Sequence, residues 1–377
     1  MTQQPAINMK PILLGMVGGG QGAFIGAVHR TAATLDGQAR VVAGCLSSTP
    51  ERATASGKAI GLSDNRNYPT WQAMLDGEKS LPKGERIDAV CVVTPNHVHF
   101  PVSRAFTQAG FHVICDKPVT RTAAEAEELA DRVQQAGTVF CVTYNYTGYP
   151  LVRTMADMIR AGKLGAVRKA FVEYHQGWLA TDLANQGQKQ ASWRADPALA
   201  GAGALGDIGS HAENLLRTVT GLEIESLCAD VHTFVPGRRI DDDAGVLIRL
   251  SGGARAVLTC SQVCVGEENG LTIRVHGERG SLTWRQENPN LLTHAAQDAA
   301  PRLITRGSAD AGDAARAATR LPPGHPEGFF EAFANIYRGA FAAIRGEPAT
   351  YPTIADGVKG MHFIEKCLQS RGNWVKC

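Results

Sequence analysis

An apolar run over residues 12–17 is followed at once by Gly18-Gly19-Gly20-Gln21-Gly22-Ala23, and then by a helical pattern ending near Thr34. This Gly-x-Gly-x-x-Ala turn between a strand and a helix constrains the fold more than any other part of the chain. Glycines permit the tight turn and let backbone amides approach a pyrophosphate, which then sits at the positive end of the following helix. The strand before it and the helix after it supply the context that a bare glycine-rich loop lacks. A dinucleotide site is therefore predicted at Gly18, Gly20, Gln21, Gly22 and Ala23.

Four more short apolar runs follow, at residues 41–46, 89–94, 112–115 and 139–143, with amphipathic segments between them. Such alternation marks βα units in a parallel sheet covered on both faces. A doubly wound α/β domain is predicted over residues 1–147. After a helical pattern at 151–160 the periodicity changes. Strand-like runs at 168–175, 225–235, 245–250, 254–262, 271–276 and 280–284 follow one another, several joined by Gly-containing turns. Gly252-Gly253 and Glu278-Arg279-Gly280 read as hairpin connections. Two helical patterns, 327–345 and 353–369, close the chain. Residues 148–377 are predicted to form an α+β domain with an open, mostly antiparallel sheet. The segments 178–203 and 290–325, rich in small and polar residues, read as long functional loops or poorly ordered chain.

A chain of 377 residues exceeds one ordinary core, in keeping with two domains. Its 44% hydrophobic and 20% charged content is that of a globular protein. A net charge of +2 without a basic run gives no footprint for nucleic acid, so a small or neutral partner is expected. The polar N-terminus lacks a signal-type apolar region and no run is long enough for a span, so a cytoplasmic protein without a membrane partner is expected. Most of the nine cysteines sit in apolar runs with no Cys-x-x-Cys pair, and read as small buried hydrophobes. Cys260 and Cys264 lie in a strand-like run without nearby histidines, so no metal is expected.

Four further stretches carry chemistry. Where an acid would mark NAD at the end of the second strand, the chain has Leu46-Ser47-Ser48-Thr49-Pro50-Glu51-Arg52. A 2′-phosphate is then not repelled, and Ser47 with Arg52 can receive one, although Arg52 reads equally well as a solvated helix residue; Ser47, Ser48 and Arg52 are the cofactor candidates here. No Arg or Lys directly follows Ser47, so the reading leans to NAD and leaves NADP open. Thr94-Pro95-Asn96-His97-Val98-His99 puts polar groups at the carboxyl edge of the sheet, where open α/β sheets bind ligands, although a Pro-Asn turn opening a helix reads equally well. In Asp116-Lys117-Pro118 a lysine at a strand end is held by a rigid proline, suited to stabilising alkoxide charge. In the Gly-rich stretch ending at His211, Asp207 stands four residues before the histidine. On a helix the two share one face, and the carboxylate can fix the tautomer of a general base.

These pieces in this order resemble the glucose-fructose oxidoreductase, inositol dehydrogenase and rhizopine-catabolism superfamily of NAD(P)-dependent oxidoreductases. The matching residues are Gly18 to Ala23, Thr94-Pro95-Asn96-x-x-His99, Asp116-Lys117-Pro118 and Gly203-x-x-x-Asp207-x-x-x-His211. The resemblance implies a Rossmann domain joined to an open antiparallel sheet, with Lys117, Asp207 and His211 as the catalytic set. It also implies that Thr94, Pro95, Asn96, His99, Asp116 and Lys117 lie at the cofactor. Two departures stand out: Asp116 replaces the glutamate of Glu-Lys-Pro, and Thr147 replaces an arginine often found two residues after Asn145. The Ser-Ser-Thr-Pro-Glu-Arg stretch and Trp193-Arg194 look like the inositol and L-glucose dehydrogenase branch.

The expected reaction is oxidation of a secondary hydroxyl on a cyclic polyol or sugar, with His211 as base, Asp207 orienting it and Lys117 on the reacting oxygen. Hydroxyls withdrawn from water need partners. Candidates are Asn96, Asn145, Tyr146, Trp178, Trp193, Arg194 and His325, the indoles by stacking on a ring face. A nicotinamide-dependent sensor of the same fold and an oxidation-initiated glycoside-processing enzyme are the rival readings. An antiparallel sheet with one uncovered face implies a homodimer or homotetramer.

Overall fold

The computed structural model describes residues 10–183, 193, 194 and 196–377. The apolar runs of the first half are the strands β1 (Ile12–Gly18), β2 (Ala39–Cys45), β3 (Ala89–Val93), β4 (His112–Cys115) and β5 (Phe140–Val142). They form a parallel sheet in the order β2-β1-β3-β4-β5. Beyond β2, a single parallel bridge from Gly44 to Asn67 stands where a doubly wound sheet carries a further strand.

Alternate residues of these strands serve two cores, as a period of two requires. Ile12, Leu14, Met16, Cys91, Ile114 and Cys141 pack with Val28 and Ala32 of α1 (Phe24–Thr34) and with Phe333, Tyr337 and Phe341 of α10 (Phe329–Ile344). Val90, Val92, Val113 and Val142 face the other way, against Phe106 of α4 (Asn96–Gln108) and Leu129 of α5 (Ala123–Ala136). One cover of the first sheet is thus supplied by residues from the far end of the chain.

The second sheet has nine strands: β6 (Val167–His175), β7 (Ile224–His232), β8 (Asp243–Leu250), β9 (Arg255–Ser261), β10 (Gly270–Gly277), β11 (Gly280–Arg285), β12 (Leu291–Ala296), β13 (Arg302–Thr305) and β14 (Val375–Lys376). Its order is β13-β12-β11-β10-β6-β9-β8-β7-β14, antiparallel throughout except for the β6–β9 pair. Val172, Tyr174, Leu258, Ile273 and Trp284 point inward toward Leu151 and Met155 of α6 (Pro150–Arg160) and Leu215 of α8 (Ser210–Thr220). Their alternates, such as Lys169, Phe171 and Glu173, lie on the opposite, only partly covered face.

Residues 290–325 depart from the expected loop: they form β12, β13 and α9 (Gly312–Ala318), burying Leu292, Ile304 and Ala315. Edge strands that bury single alternate residues leave no apolar run to read. In the other expected loop, α7 (Pro197–Ala200) is short, and residues 184–192 and 195 lie outside the described residues.

The turn into α8 is built by Asp241, whose carboxylate accepts the Gly203 and Leu205 amides at 2.7 Å each. A Cβ on Gly203 would stand 1.8 Å from the Asp241 carbonyl, so only glycine allows this approach. Hydrogen bonds to a charged group contribute more than neutral ones, so Asp241→Ala is expected to destabilise the fold by roughly 2–4 kcal/mol. Urea unfolding followed by circular dichroism measures it, and a loss below 1 kcal/mol would remove Asp241 from this role.

Candidate active site

A cleft of about 1310 Å³ opens at the carboxyl ends of the parallel strands and runs to the inner face of the second sheet. At its first end Gly18, Gly19 and Gly22 hold positive φ angles of 85°, 72° and 76°. The turn is pressed onto its own helix: a Cβ on Gly26 would lie 2.0 Å from the Gly19 carbonyl, and one on Gly20 2.3 Å from that of Leu46. Arg30 Nη1 donates to the same Gly19 carbonyl at 2.7 Å. Ala23 offers α1 no side-chain cap, which leaves its first amides for an anion. This cradle and the length of the cleft fit a dinucleotide.

Gly18, Gly20, Gln21 and Ala23 line the cleft, and Gly22 supplies the left-handed turn between them. Ser47 and Ser48 line the end beyond, which Pro69, Thr70, Trp71 and Gln72 close. Pro50 opens α2 (Pro50–Ala59), and Arg52 in its first turn is exposed and outside the lining.

Thr94, Pro95, Asn96 and His99 also line the cleft. His99 staples two loops, its ring nitrogens 2.8 Å from the Thr94 and Pro118 carbonyls. Asn96 Nδ2 donates to the Ala200 carbonyl at 2.8 Å and so ties the first domain to α7. Asp116 accepts the Lys117 amide at 2.9 Å and the Thr143 hydroxyl at 3.0 Å through Oδ1.

At the inner end Lys117 Nζ lies 3.0 Å from Asp207 Oδ1 and also donates to the Asp207 carbonyl. Asp207 Oδ2 accepts from Gln262 Nε2 at 2.8 Å and Arg194 Nε at 3.3 Å. The expected orienting bond from Asp207 to His211 is not made. Residues Leu205–Gly209 form a π turn, in which amides reach five residues back, and Asp207 is spent on Lys117, Arg194 and Gln262. His211 instead packs edge-on against Tyr146 with ring centroids 4.6 Å apart, and its Nδ1 has no hydrogen-bond partner among the described residues. Burial, reinforced by the Lys117 charge, holds its pKa well below the ordinary histidine range. Although burial would raise Asp207, Lys117 and Arg194 hold it well below the usual carboxylate range. The site is thus a cation, a carboxylate and a neutral imidazole side by side.

Asn145, Tyr146, Trp178, Trp193 and Arg194 line this inner end, where the Arg194 guanidinium lies 4.3 Å from the Trp193 ring centroid. Sequence reading missed Tyr174, Gln176, Gln262 and Asn269. Tyr174 Oη donates to Asn269 Oδ1 at 2.7 Å, Gln176 Nε2 donates to the same oxygen at 2.9 Å, and Trp178 Nε1 donates to Gln176 Oε1 at 3.0 Å. Tyr174 lies in β6 and Gln176 just after it, Gln262 follows β9 and Asn269 precedes β10, so no single motif joins them. With 290–325 folded onto the second sheet, His325 sits in an exposed turn whose carbonyl Arg306 holds, outside the lining. Among the described residues no His, Cys, Asp and Glu cluster could hold a metal, and no helix is long and apolar enough to cross a membrane.

Residues 12–144 match the model of the oxidoreductase family with an NAD-binding Rossmann fold, and residues 152–283 match that of the GFO/IDH/MocA C-terminal domain. An uncharacterized oxidoreductase of Bacillus subtilis, YfiI, is 33% identical over 100% of this chain and 99% of its own length. A solved inositol dehydrogenase homolog from Azotobacter vinelandii, complexed with NADH and myo-inositol, superposes with a TM-score of 0.91 at 34% identity, covering 98% of each chain. Levoglucosan dehydrogenase of Pseudarthrobacter phenanthrenivorans is 27% identical over 78% of this chain and 79% of its own.

The tight contact of α1 on the glycine turn makes a direct test of the cofactor end. Forcing side-chain atoms into such a contact costs roughly 1–3 kcal/mol, so Gly26→Val is expected to weaken NAD binding about ten- to a hundredfold. Isothermal titration with NAD reads it, and an unchanged Kd would dissociate this turn from the cofactor.

Proposed function

This chain belongs to the GFO/IDH/MocA family of NAD-dependent oxidoreductases, and from that premise we propose that it oxidises a secondary hydroxyl of a cyclic polyol or sugar, of the inositol or aldose type. One observation carries the reading: Lys117, just after β4, Asp207, in the turn before α8, and His211, at the start of α8, line one end of the dinucleotide cleft. Likeness to an inositol dehydrogenase homolog and to levoglucosan dehydrogenase supports the substrate class.

NAD, when bound, supplies the hydride acceptor. His211 takes the hydroxyl proton, and its low pKa keeps the lone pair available at neutral pH. Lys117 donates to the reacting oxygen and stabilises the charge that grows there. Asp207 holds the Lys117 ammonium in place, with Gln262 and Arg194 saturating its other oxygen. The linked side chains of Tyr146, Tyr174, Gln176 and Asn269 offer donors and acceptors to neighbouring hydroxyls, as a neutral polyol requires.

Residues 1–147 form the dinucleotide-binding unit in this reading, and residues 148–377 the substrate-binding unit. The partly covered face of the second sheet, where Leu247 is 50% and Leu303 63% exposed, is the surface for a homodimer or homotetramer. Sedimentation at micromolar concentration tests that assignment.

A panel of inositols and aldoses with NAD and with NADP, followed by absorbance of the reduced nicotinamide, tests the reaction. Binding of polyols without reduction would assign the fold to a sensor. His211→Ala is expected to lower turnover by about 100-fold or more with little change in NAD affinity, and unchanged turnover would remove it as the base. Protonation of His211 removes the base as pH falls. Because its pKa is depressed, the acid limb of kcat/KM is expected below the ordinary histidine value of 6.5; a limb above that value would name another group.

A further inference from the structure

The helix that begins at the dinucleotide turn carries a histidine that no step above uses. His29, on α1, turns its ring into the core, with its side chain wholly shielded from solvent. Its Nδ1 lies 2.7 Å from Tyr337 Oη of α10, and that hydroxyl lies 2.9 Å from Cys91 Sγ of β3. The rings of Phe333 and Tyr337 stand edge-on to it, with centroids 5.0 and 5.9 Å away. On the other side Nε2 points at the cleft wall, 3.8 Å from Asp116 Oδ2, and has no hydrogen-bond partner among the described residues.

Asp116 is the residue from which the catalytic loop hangs. Its other oxygen accepts the Lys117 amide and the Thr143 hydroxyl. A carboxylate shared in this way among three elements stays put only while its charge is balanced from behind, and His29 is the group behind it. We infer that His29 is a positioning residue, a buried imidazolium that pairs with Asp116 and thereby fixes the backbone from which Lys117 reaches the substrate.

The hydrogen-bond logic is consistent. A doubly protonated ring donates Nδ1–H to Tyr337 Oη, which is left to donate its own proton to Cys91 Sγ. Its second N–H then faces Asp116. A neutral ring protonated at Nε2 satisfies the same line with its protons reversed, Cys91 Sγ donating to Tyr337 Oη and that hydroxyl to Nδ1, so it is the carboxylate facing Nε2 that selects the charged form. Burial opposes the charge, yet Cys91 and Asp116 outweigh it and push the His29 pKa up to about 10. Asp116, which burial would raise, is held well below the usual carboxylate range by His29, with Lys117 and His99 adding to the effect. The titratable groups around His29 are Cys91 of β3, Tyr337 of α10 and Asp116 after β4, with Cys141 of β5 next to Cys91. Arg30, its neighbour on α1, is occupied with the Gly19 carbonyl.

The inference rests on Lys117 acting in the reaction, and its first test does not. In protein labelled with 15N-histidine, the His29 ring, assigned by its loss in His29→Gln, is expected to keep both protons from pH 6 to about pH 9. A neutral His29 ring at pH 7.5 would overturn the proposal. The second test is kinetic. His29→Gln is expected to lower kcat about ten- to a hundredfold with little change in substrate KM, the scale on which supporting contacts of a reactive group act. In an Asp116→Asn background the same change is expected to add almost nothing, because both act through one contact. Full additivity of the two losses would show that His29 does not work through Asp116. Full turnover by Lys117→Ala would sink the reading of the reaction and leave the ring's protonation state standing.

Discussion

Lys117 and Asp207 meet at 3.0 Å across the seam between the two sheets, with side chains only 13% and 21% exposed. One comes from the carboxyl end of a parallel strand, the other from the π turn that opens a helix packed on the antiparallel sheet. A pair so far withdrawn from water holds only if both partners stay, since either left alone is a buried charge. The pair therefore registers the two halves of the molecule against each other at the inner end of the cleft. It also sets the electrostatics around it. The ammonium disfavours a proton on His211, and the carboxylate keeps the cation from repelling everything else in the cleft. An ammonium and an unprotonated imidazole can then stand together near neutral pH.

Much of this was readable before any coordinates. Five apolar runs marked the parallel strands because both faces of that sheet are buried, so nearly every strand residue is apolar. The glycine turn, the Asp116-Lys117-Pro118 corner and the Gly203–His211 stretch were legible because each combines a backbone demand with a chemical one. What escaped lies where the fold overrides local spacing. Asp207 and His211 are four apart, and one inserted residue in the turn sends the carboxylate to Lys117 instead. Arg52 carried the right charge, but the helix that Pro50 starts turns it to solvent. Tyr174, Gln176 and Asn269 converge from separate strands, and their meeting depends on the register of β6 against β10, which aligns Tyr174 with Leu271. Strands β12 and β13 hid in a segment of small and polar residues because each buries only an alternate side chain.

The cofactor end and the inner end are solved by different means. The first is made of backbone: positive-φ glycines, uncapped amides and contacts too close for any Cβ. Such a surface is indifferent to side-chain fashion and leaves little room for variation. The second is made of long polar side chains that hold one another, Asn269 accepting from two donors and giving to Tyr146. Exchanging one of these changes the pattern of donors without moving the scaffold, so the inner end can change while the nucleotide end stays constant.

The cover that α10 lays over the first sheet has a consequence for how the molecule comes into being. Translation delivers the nucleotide-binding strands first, yet Phe333, Tyr337 and Phe341, which seal one face of them, leave the ribosome some two hundred residues later. Until then the nascent half shows water a bare stripe of Ile12, Leu14, Met16 and their neighbours, a natural target for chaperones and for wrong partners. Maturation of the nucleotide-binding half must therefore wait until Phe341 has been made.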